Sequence, residues 1–273
     1  MTLQKQAQLA AHFQALHQAG RPLLLPNPWD AGAARLLASL GFEALATTSS
    51  GFAATLGRLD GSVSREESLR HAATIVAATE LPVSADLENG FGIAPEQVAV
   101  TAAEAVGAGL AGFSIEDSSG DEHEPIYELA LAAERIAAAA ASAHGGPAWL
   151  VLTGRAENYL HGRADLADTI ARLQAYQEAG ADVLYAPGIC TAHDVRRLVE
   201  SVDRPVNVLA RPGVPSVSEL AALGVSRVSV GGAFAFAAIG AVVEAARELS
   251  ELGTYGFAER AAAGVRAARS AFG

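Results

Sequence analysis

Short apolar runs alternate with longer alanine-rich stretches from one end of the chain to the other, and this rhythm limits the fold more than any other feature. The runs read as strands at Leu23–Pro26, Ala44–Thr48, Pro82–Asp86, Gly112–Glu116, Trp149–Thr153, Asp182–Tyr185, Pro205–Val208 and Arg227–Val230. Helical segments fall between and after them at Asp30–Leu40, Arg65–Thr79, Glu96–Ala108, Ile126–Ala143, Asp165–Ala179, Ala192–Ser201, Ser216–Leu223 and Ala235–Leu252. Strands alternating with helices of this length specify βαβ units and a parallel sheet. Four helices stop at Gly41, Gly109, Gly180 and Gly224, where glycine supplies a left-handed cap just before a buried strand. Eight units predict one closed (β/α)8 barrel of the TIM type spanning 1–273. An open doubly wound sheet is disfavoured because no Rossmann glycine fingerprint follows the first strand.

Composition narrows the function. The formal net charge is −11, with 30 acidic against 19 basic side chains. Nucleic-acid binding needs clustered Lys and Arg, so neither nucleic acid nor an anionic membrane is an expected partner. The single cysteine, Cys190, excludes an internal disulfide framework and fits a reducing compartment. The first twenty residues read as an amphipathic helix rather than a signal peptide, and no apolar run is long enough to span a membrane. These features predict a cytoplasmic protein.

Barrel enzymes place catalytic groups at the C-terminal ends of strands. Here the third strand runs into Asp86-Leu87-Glu88-Asn89-Gly90-Phe91-Gly92, and the fourth ends at Ile115-Glu116-Asp117. Neighbouring strands lie about 4.8 Å apart, so Asp86 and Glu116 are expected to face each other across the mouth. Four carboxylates in one quadrant repel and raise one another's pKa, which a hard dication such as Mg²⁺ relieves. The competing explanation is helix capping or pairing with Arg58, Arg65 or Arg155. The fifth strand leads to Arg155, suited to fork onto a carboxylate or neutralise a developing oxyanion, the alternative being a plain salt bridge to Glu157 or Glu116. Thr48, Ser49 and Ser50 form a hydroxyl-rich turn fit to cradle a carboxylate. Asn207, within the apolar seventh strand, needs a partner: a substrate oxygen or a core backbone group. His123 lies in an acidic loop and is either a catalytic acid or base or a solvated side chain. Gly231-Gly232 offers a phosphate turn or simply a tight corner.

Taken in order, Asn27-Pro28-Trp29-Asp30-Ala31, Thr48-Ser49-Ser50-Gly51, Leu56-Gly57-Arg58-Leu59-Asp60, Asp86 through Gly92, Ile115-Glu116-Asp117 and Gly154-Arg155 resemble the isocitrate lyase/phosphoenolpyruvate mutase superfamily. The resemblance implies Mg²⁺ on Asp86, with Glu88 and Glu116 nearby. It places Asp60 close to metal and substrate, Thr48, Ser49 and Ser50 on the substrate carboxylate, Arg155 on the substrate, and Asn207 at its far end. It implies cleavage of a C–C bond in a small 2-oxo or 2-hydroxy carboxylic acid through an enolate. Cleavage of a P–C bond, as in the phosphonopyruvate enzymes, and binding of an oxo acid without turnover remain alternatives. It also implies a homo-oligomer, dimer or tetramer, that exchanges its last helix. Two departures mark this chain. The loop Ser118–Tyr127 lacks the K-[KR]-C-G-H motif whose cysteine is the acid of the isocitrate lyases, and the sixth strand ends in Tyr185-Ala186-Pro187-Gly188 rather than a glutamate.

Overall fold

The structure, a computed structural model, describes residues 1–146 and 148–273 of the chain. In chain order its elements are α1 (Leu3–Ala15), β1 (Leu23–Leu25), α2 (Ala31–Ser39), β2 (Leu45–Ala46), α3 (Ser49–Thr55), α4 (Arg65–Ala78), β3 (Val83–Asp86), α5 (Pro95–Gly107), β4 (Gly112–Glu116) and α6 (Leu129–His144). There follow β5 (Val151–Arg155), α7 (Leu166–Glu178), β6 (Val183–Tyr185), α8 (Ala192–Glu200), β7 (Val206–Leu209), α9 (Val217–Ala222), β8 (Arg227–Ser229), α10 (Ala233–Arg247), a π-helical turn at Glu248–Leu252, and α11 (Ala258–Phe272). The eight strands form one parallel sheet in the order β1-β8-β7-β6-β5-β4-β3-β2, curled into a nearly closed barrel with helices outside. The expected glycines cap as predicted, with φ of +87° at Gly41, +82° at Gly109, +106° at Gly180 and +86° at Gly224.

The β1–β2 seam carries no strand ladder, and two devices close it. Ala46 N donates to Pro26 O at 3.1 Å. The buried Asn27 then bridges three strands: its Nδ2 donates to Thr47 O at 2.9 Å, while its Oδ1 accepts from Val230 N at 3.0 Å and Gly231 N at 2.9 Å. A buried amide that makes three backbone hydrogen bonds does the work of the missing ladder. These bonds also occupy the Gly231 amide that a phosphate turn would need. Gly232 is there for space, since a Cβ on it would stand 2.6 Å from Ser50 Oγ.

Helix α1 closes the floor. Thr2 caps it, and the fully buried Phe13 packs with Leu23, Ala44, Ala111, Val151 and Val183 at the N-terminal ends of the strands. The larger core lies between the strands and the surrounding helices.

Three of the differences from the sequence expectation have a clear cause. The Thr48–Gly51 turn continues as α3, because Thr48 caps a helix whose small residues pack closely; a Cβ on Gly51 would meet Thr48, Trp29 and Ala235. β5 begins and ends two residues later than expected, since Trp149 stacks on His144 at 3.9 Å and Arg155 joins the ladder opposite Glu116. The segment after Gly253 forms a further helix, α11, which packs against α2 of the same chain.

The floor leaves no spare volume at Gly112, where a Cβ would lie 2.6 Å from Val151 O and 3.0 Å from the Phe13 ring. Gly112→Ala is expected to lower the unfolding free energy by about 1–3 kcal/mol through overpacking, measured by urea denaturation. A neutral result would show that the backbone at Gly112 and Val151 can shift apart.

Candidate active site

At the C-terminal mouth, a cavity of about 460 Å³ is lined by Ser49, Asp60, Glu88, Glu116, Arg155 and Glu157, together with Ser118 and His161. Arg155 is its centre. Its Nη1 lies 3.1 Å from Glu116 Oε2 and 3.5 Å from Asp86 Oδ1, and its Nε donates to Glu157 Oε1. The ladder places Asp86 opposite Ser114 and Glu116 opposite Arg155, so the two acids stand two residues apart along β4 and share one guanidinium. Burial works against the Arg155 charge, yet Glu116, Glu157 and Asp86 outweigh it and hold it well above the usual arginine range. Burial likewise pushes Glu116 and Glu157 upward, against the pull of Arg155.

Asp86 is fixed from both sides. Ser49 N donates to its Oδ2 and Glu88 N to its Oδ1, each at 3.3 Å, while its own N–H donates to Thr47 Oγ1 at 3.0 Å. Glu88 sits at φ +48°, in the left-handed region that a non-glycine residue enters only under constraint. The constraint is Arg135 on α6, 1% exposed, which donates to the carbonyls of Asn89, Gly92 and Ile93 and stacks over Tyr127 at 4.3 Å. Burial first, then the charges on Asp86 and Asp60, push the Glu88 carboxyl up to about 8. Asp60 stands at the rim, raised by desolvation and by Asp86 against the pull of Ser49.

Asp117, 2% exposed, anchors the wall behind Arg155. It accepts from Glu157 N at 2.8 Å, Arg172 Nη1 at 3.0 Å and Tyr176 OH at 2.6 Å. The backbone of the residue that grips Arg155 is therefore tied to β4 and α7.

The remaining expected site residues fall in different places. Thr48 is buried, and its Oγ1 caps α3 through Gly51 N at 3.3 Å while lying 3.2 Å from Ser50 Oγ. Asn207 is also buried, but its partners are side chains inside the barrel: Nδ2 donates to Ser229 Oγ at 2.9 Å and Oδ1 accepts from Arg227 Nε at 3.0 Å. Side chains, rather than the core backbone group raised as one candidate, thus satisfy it. His123 is exposed on the Ser118–Tyr127 loop, where its N–H bonds Asp121, and it does not line the cavity. The histidine at the mouth is His161, whose Nε2 lies 3.3 Å from Ser118 Oγ. His161 escaped the sequence reading, which gave Glu157 only as a salt-bridge partner of Arg155 and Tyr185 no site role. The useful signal was Glu157, two residues beyond a strand-end arginine.

A family model described as phosphoenolpyruvate phosphomutase matches residues 13–250. The chain belongs to the isocitrate lyase/phosphoenolpyruvate mutase superfamily. Within this superfamily, a 2-methylisocitrate lyase of Bacillus subtilis (strain 168) is 30% identical over 215 residues, covering 75% of this chain and 67% of its own length. An oxaloacetate decarboxylase of Chromohalobacter salexigens is 29% identical, covering 92% of this chain and 89% of its own. The crystal structure of a protein from Burkholderia cenocepacia J2315, provisionally described as a lyase/mutase, superimposes with a TM-score of 0.91 at 54% identity, covering 94% of this chain and 92% of that one. No helix among the described residues is long and apolar enough to cross a membrane.

Superfamily carboxylates at these strand ends also set a pH dependence. The fold binds a proton at Glu88 more tightly than the unfolded chain does, so stability falls as pH rises from about 4.5 to about 8. Urea denaturation of metal-free protein across that window should show this decline, and Glu88→Gln should make it shallower. An unchanged slope in Glu88→Gln would remove Glu88 as a source.

Proposed function

We propose that the chain is a Mg²⁺-dependent carbon–carbon lyase or decarboxylase acting on a small 2-oxo or 2-hydroxy carboxylic acid. The observation that carries this reading is Arg155, one guanidinium held at the mouth by Glu116, Asp86 and Glu157. The names of the lyase and decarboxylase relatives support it, because both act on small carboxylic acids.

The donor set fits a divalent cation. Among the described residues, no three or more His, Cys, Asp or Glu close as a ready cage. Mg²⁺ does not need one, since it keeps several waters and takes one or two carboxylates. Asp86, Glu88 and Glu116 are the residues that would hold it, and the upward push on Glu88 by Asp86 and Asp60 is the repulsion such an ion relieves. When bound, the ion supplies positive charge beside the substrate's oxygens.

The chain's own groups do the rest. Arg155 stabilises negative charge as the C–C bond breaks and its electron pair passes into an enolate; the carbon left behind then takes a proton. Glu157 and Asp117 keep that guanidinium from swinging toward solvent. Ser49 and Ser50 orient the substrate carboxylate, with Thr48 fixing their turn. Asp60, raised at the rim, is a group through which a proton can pass. Tyr185, pushed up to about 12 by burial, keeps its hydroxyl proton against the Arg155 side of the pocket. The phosphomutase description of the matching family model favours a second reading, P–C cleavage of phosphonopyruvate.

The test is turnover of oxaloacetate, methylisocitrate, isocitrate, dimethylmalate and phosphonopyruvate, followed by proton and phosphorus NMR with and without EDTA. One carbon acid should be consumed in a Mg²⁺-dependent way, and Arg155→Met should slow it about 10²–10³-fold. Consumption of phosphonopyruvate alone transfers the chain to the P–C reading. Tight oxalate binding with no turnover leaves an oxo-acid-binding protein.

A homo-oligomer, dimer or tetramer, is part of the same proposal. Almost all of α10 and the following turn is exposed despite its apolar character, with Phe236 51%, Val242 68% and Leu252 71% accessible. Contiguous apolar surface of this kind marks an interface. Light scattering should give a multiple of 27.9 kDa, and Val242→Glu should reduce it. A monomeric native protein would refute this part.

A further inference from the structure

An enolate left by C–C cleavage must take a proton, and the loop Ser118–Tyr127 has no cysteine to give it. Tyr185 is placed to do so. It ends β6, between Arg155 and Asn207 in the sheet ladder. Its side chain is 8% exposed and borders a space of about 60 Å³ at the inner end of the mouth, shared with Thr48, Asp86 and Arg155. The guanidinium carbon of Arg155 lies 5.3 Å from the centre of its ring.

A run of hydrogen bonds in one direction prepares the hydroxyl. Arg227 Nε can only donate, and it donates to Asn207 Oδ1 at 3.0 Å. The Asn207 amide is oriented by that bond, so its Nδ2 donates to Ser229 Oγ at 2.9 Å. Ser229 accepts there and keeps its own proton to give. Burial pushes the Tyr185 hydroxyl up to about 12, against the pull of Arg155 and then of Ser229. Both neighbours therefore favour a phenolate, Arg155 by its charge and Ser229 by its proton.

The other groups at the inner end are less suited to the task. Asp86, Glu116 and Glu157 are shared with the Arg155 guanidinium. Thr47, Thr48, Ser114 and Thr153 offer aliphatic hydroxyls, which are far weaker acids than a phenol.

We infer that Tyr185 hands its hydroxyl proton to the enolate carbon from the inner end of the mouth, an assignment that rests on the lyase reading and names its proton donor. The Oη–H bond breaks as the new C–H bond forms. The phenolate left behind faces Arg155 and regains a proton from water once the product has gone.

The test compares native protein with Tyr185→Phe on the carbon acids named above, with oxalate binding in Mg²⁺ read by calorimetry and folding by melting temperature. Loss of a positioned acid should lower kcat about 10²–10⁴-fold, while oxalate binds as it does to native protein. Ser229→Ala keeps the phenol but removes the proton that supports its anion, and should slow turnover about tenfold with oxalate binding retained. This second variant keeps the assignment falsifiable if Tyr185→Phe fails to fold. Native turnover that survives in folded Tyr185→Phe, or is unchanged in Ser229→Ala, overturns the assignment and leaves the lyase reading standing. Weakened oxalate binding in folded Tyr185→Phe also overturns it, because the residue then shapes the site and does not donate. A native protein that consumes no carbon acid defeats the lyase reading, and the assignment falls with it.

Discussion

A single guanidinium set against three carboxylates organises the mouth of this barrel. Each partner of Arg155 comes from a strand end or from two residues beyond one, so their mutual attraction pins β3, β4 and β5 at the height where chemistry takes place. Breaking a buried pair by removing one partner typically costs about 3–5 kcal/mol, because the survivor is left uncompensated. The group most useful to an anionic transition state is thus also a structural keystone. Carboxylates outnumber guanidiniums around it, and their repulsion shows in the upward push on Glu88 and Asp60. That imbalance is what makes the site receptive to a metal cation and then to a carboxylate.

The scaffold beneath divides the remaining work among polar residues that barrels usually replace with aliphatic ones. Asn27 stands in for a missing ladder at the β1–β2 seam, Asp117 binds the Glu157 backbone to α7, and Asn207 links β7 to β8 through Ser229 and Arg227. Each of these three groups is satisfied by several partners at once, the condition under which buried polar groups specify a structure instead of weakening it. The floor relies on shape, with Phe13 filling the space left by Gly112.

Much of this was legible in the sequence, for reasons that can be named. Strand ends could be found because glycines with positive φ mark where helices stop, and the acid cluster could be found because Asp86, Glu88 and Glu116 occupy strand ends where a packed core has no use for charge. Helix α3 could not, since Thr, Ser and Gly are weak helix formers and only packing against Trp29 and Ala235 overrides that. Which of two histidines reaches the mouth depends on loop paths: His123 is carried outward and His161 inward. The partners of Asn207 depend on barrel stagger, which sets Asn207 directly beside Arg227 and which no local pattern encodes.

The Arg135 clamp has an evolutionary consequence. It holds the loop bearing Glu88 entirely through carbonyl oxygens of Asn89, Gly92 and Ile93, and a carbonyl is the one acceptor that every amino acid provides. Apart from Gly90 and Gly92, where a Cβ finds no room, side chains along that loop can therefore drift while the backbone keeps its path. A lineage using this clamp can explore new selectivity at the rim without surrendering the position of its carboxylate.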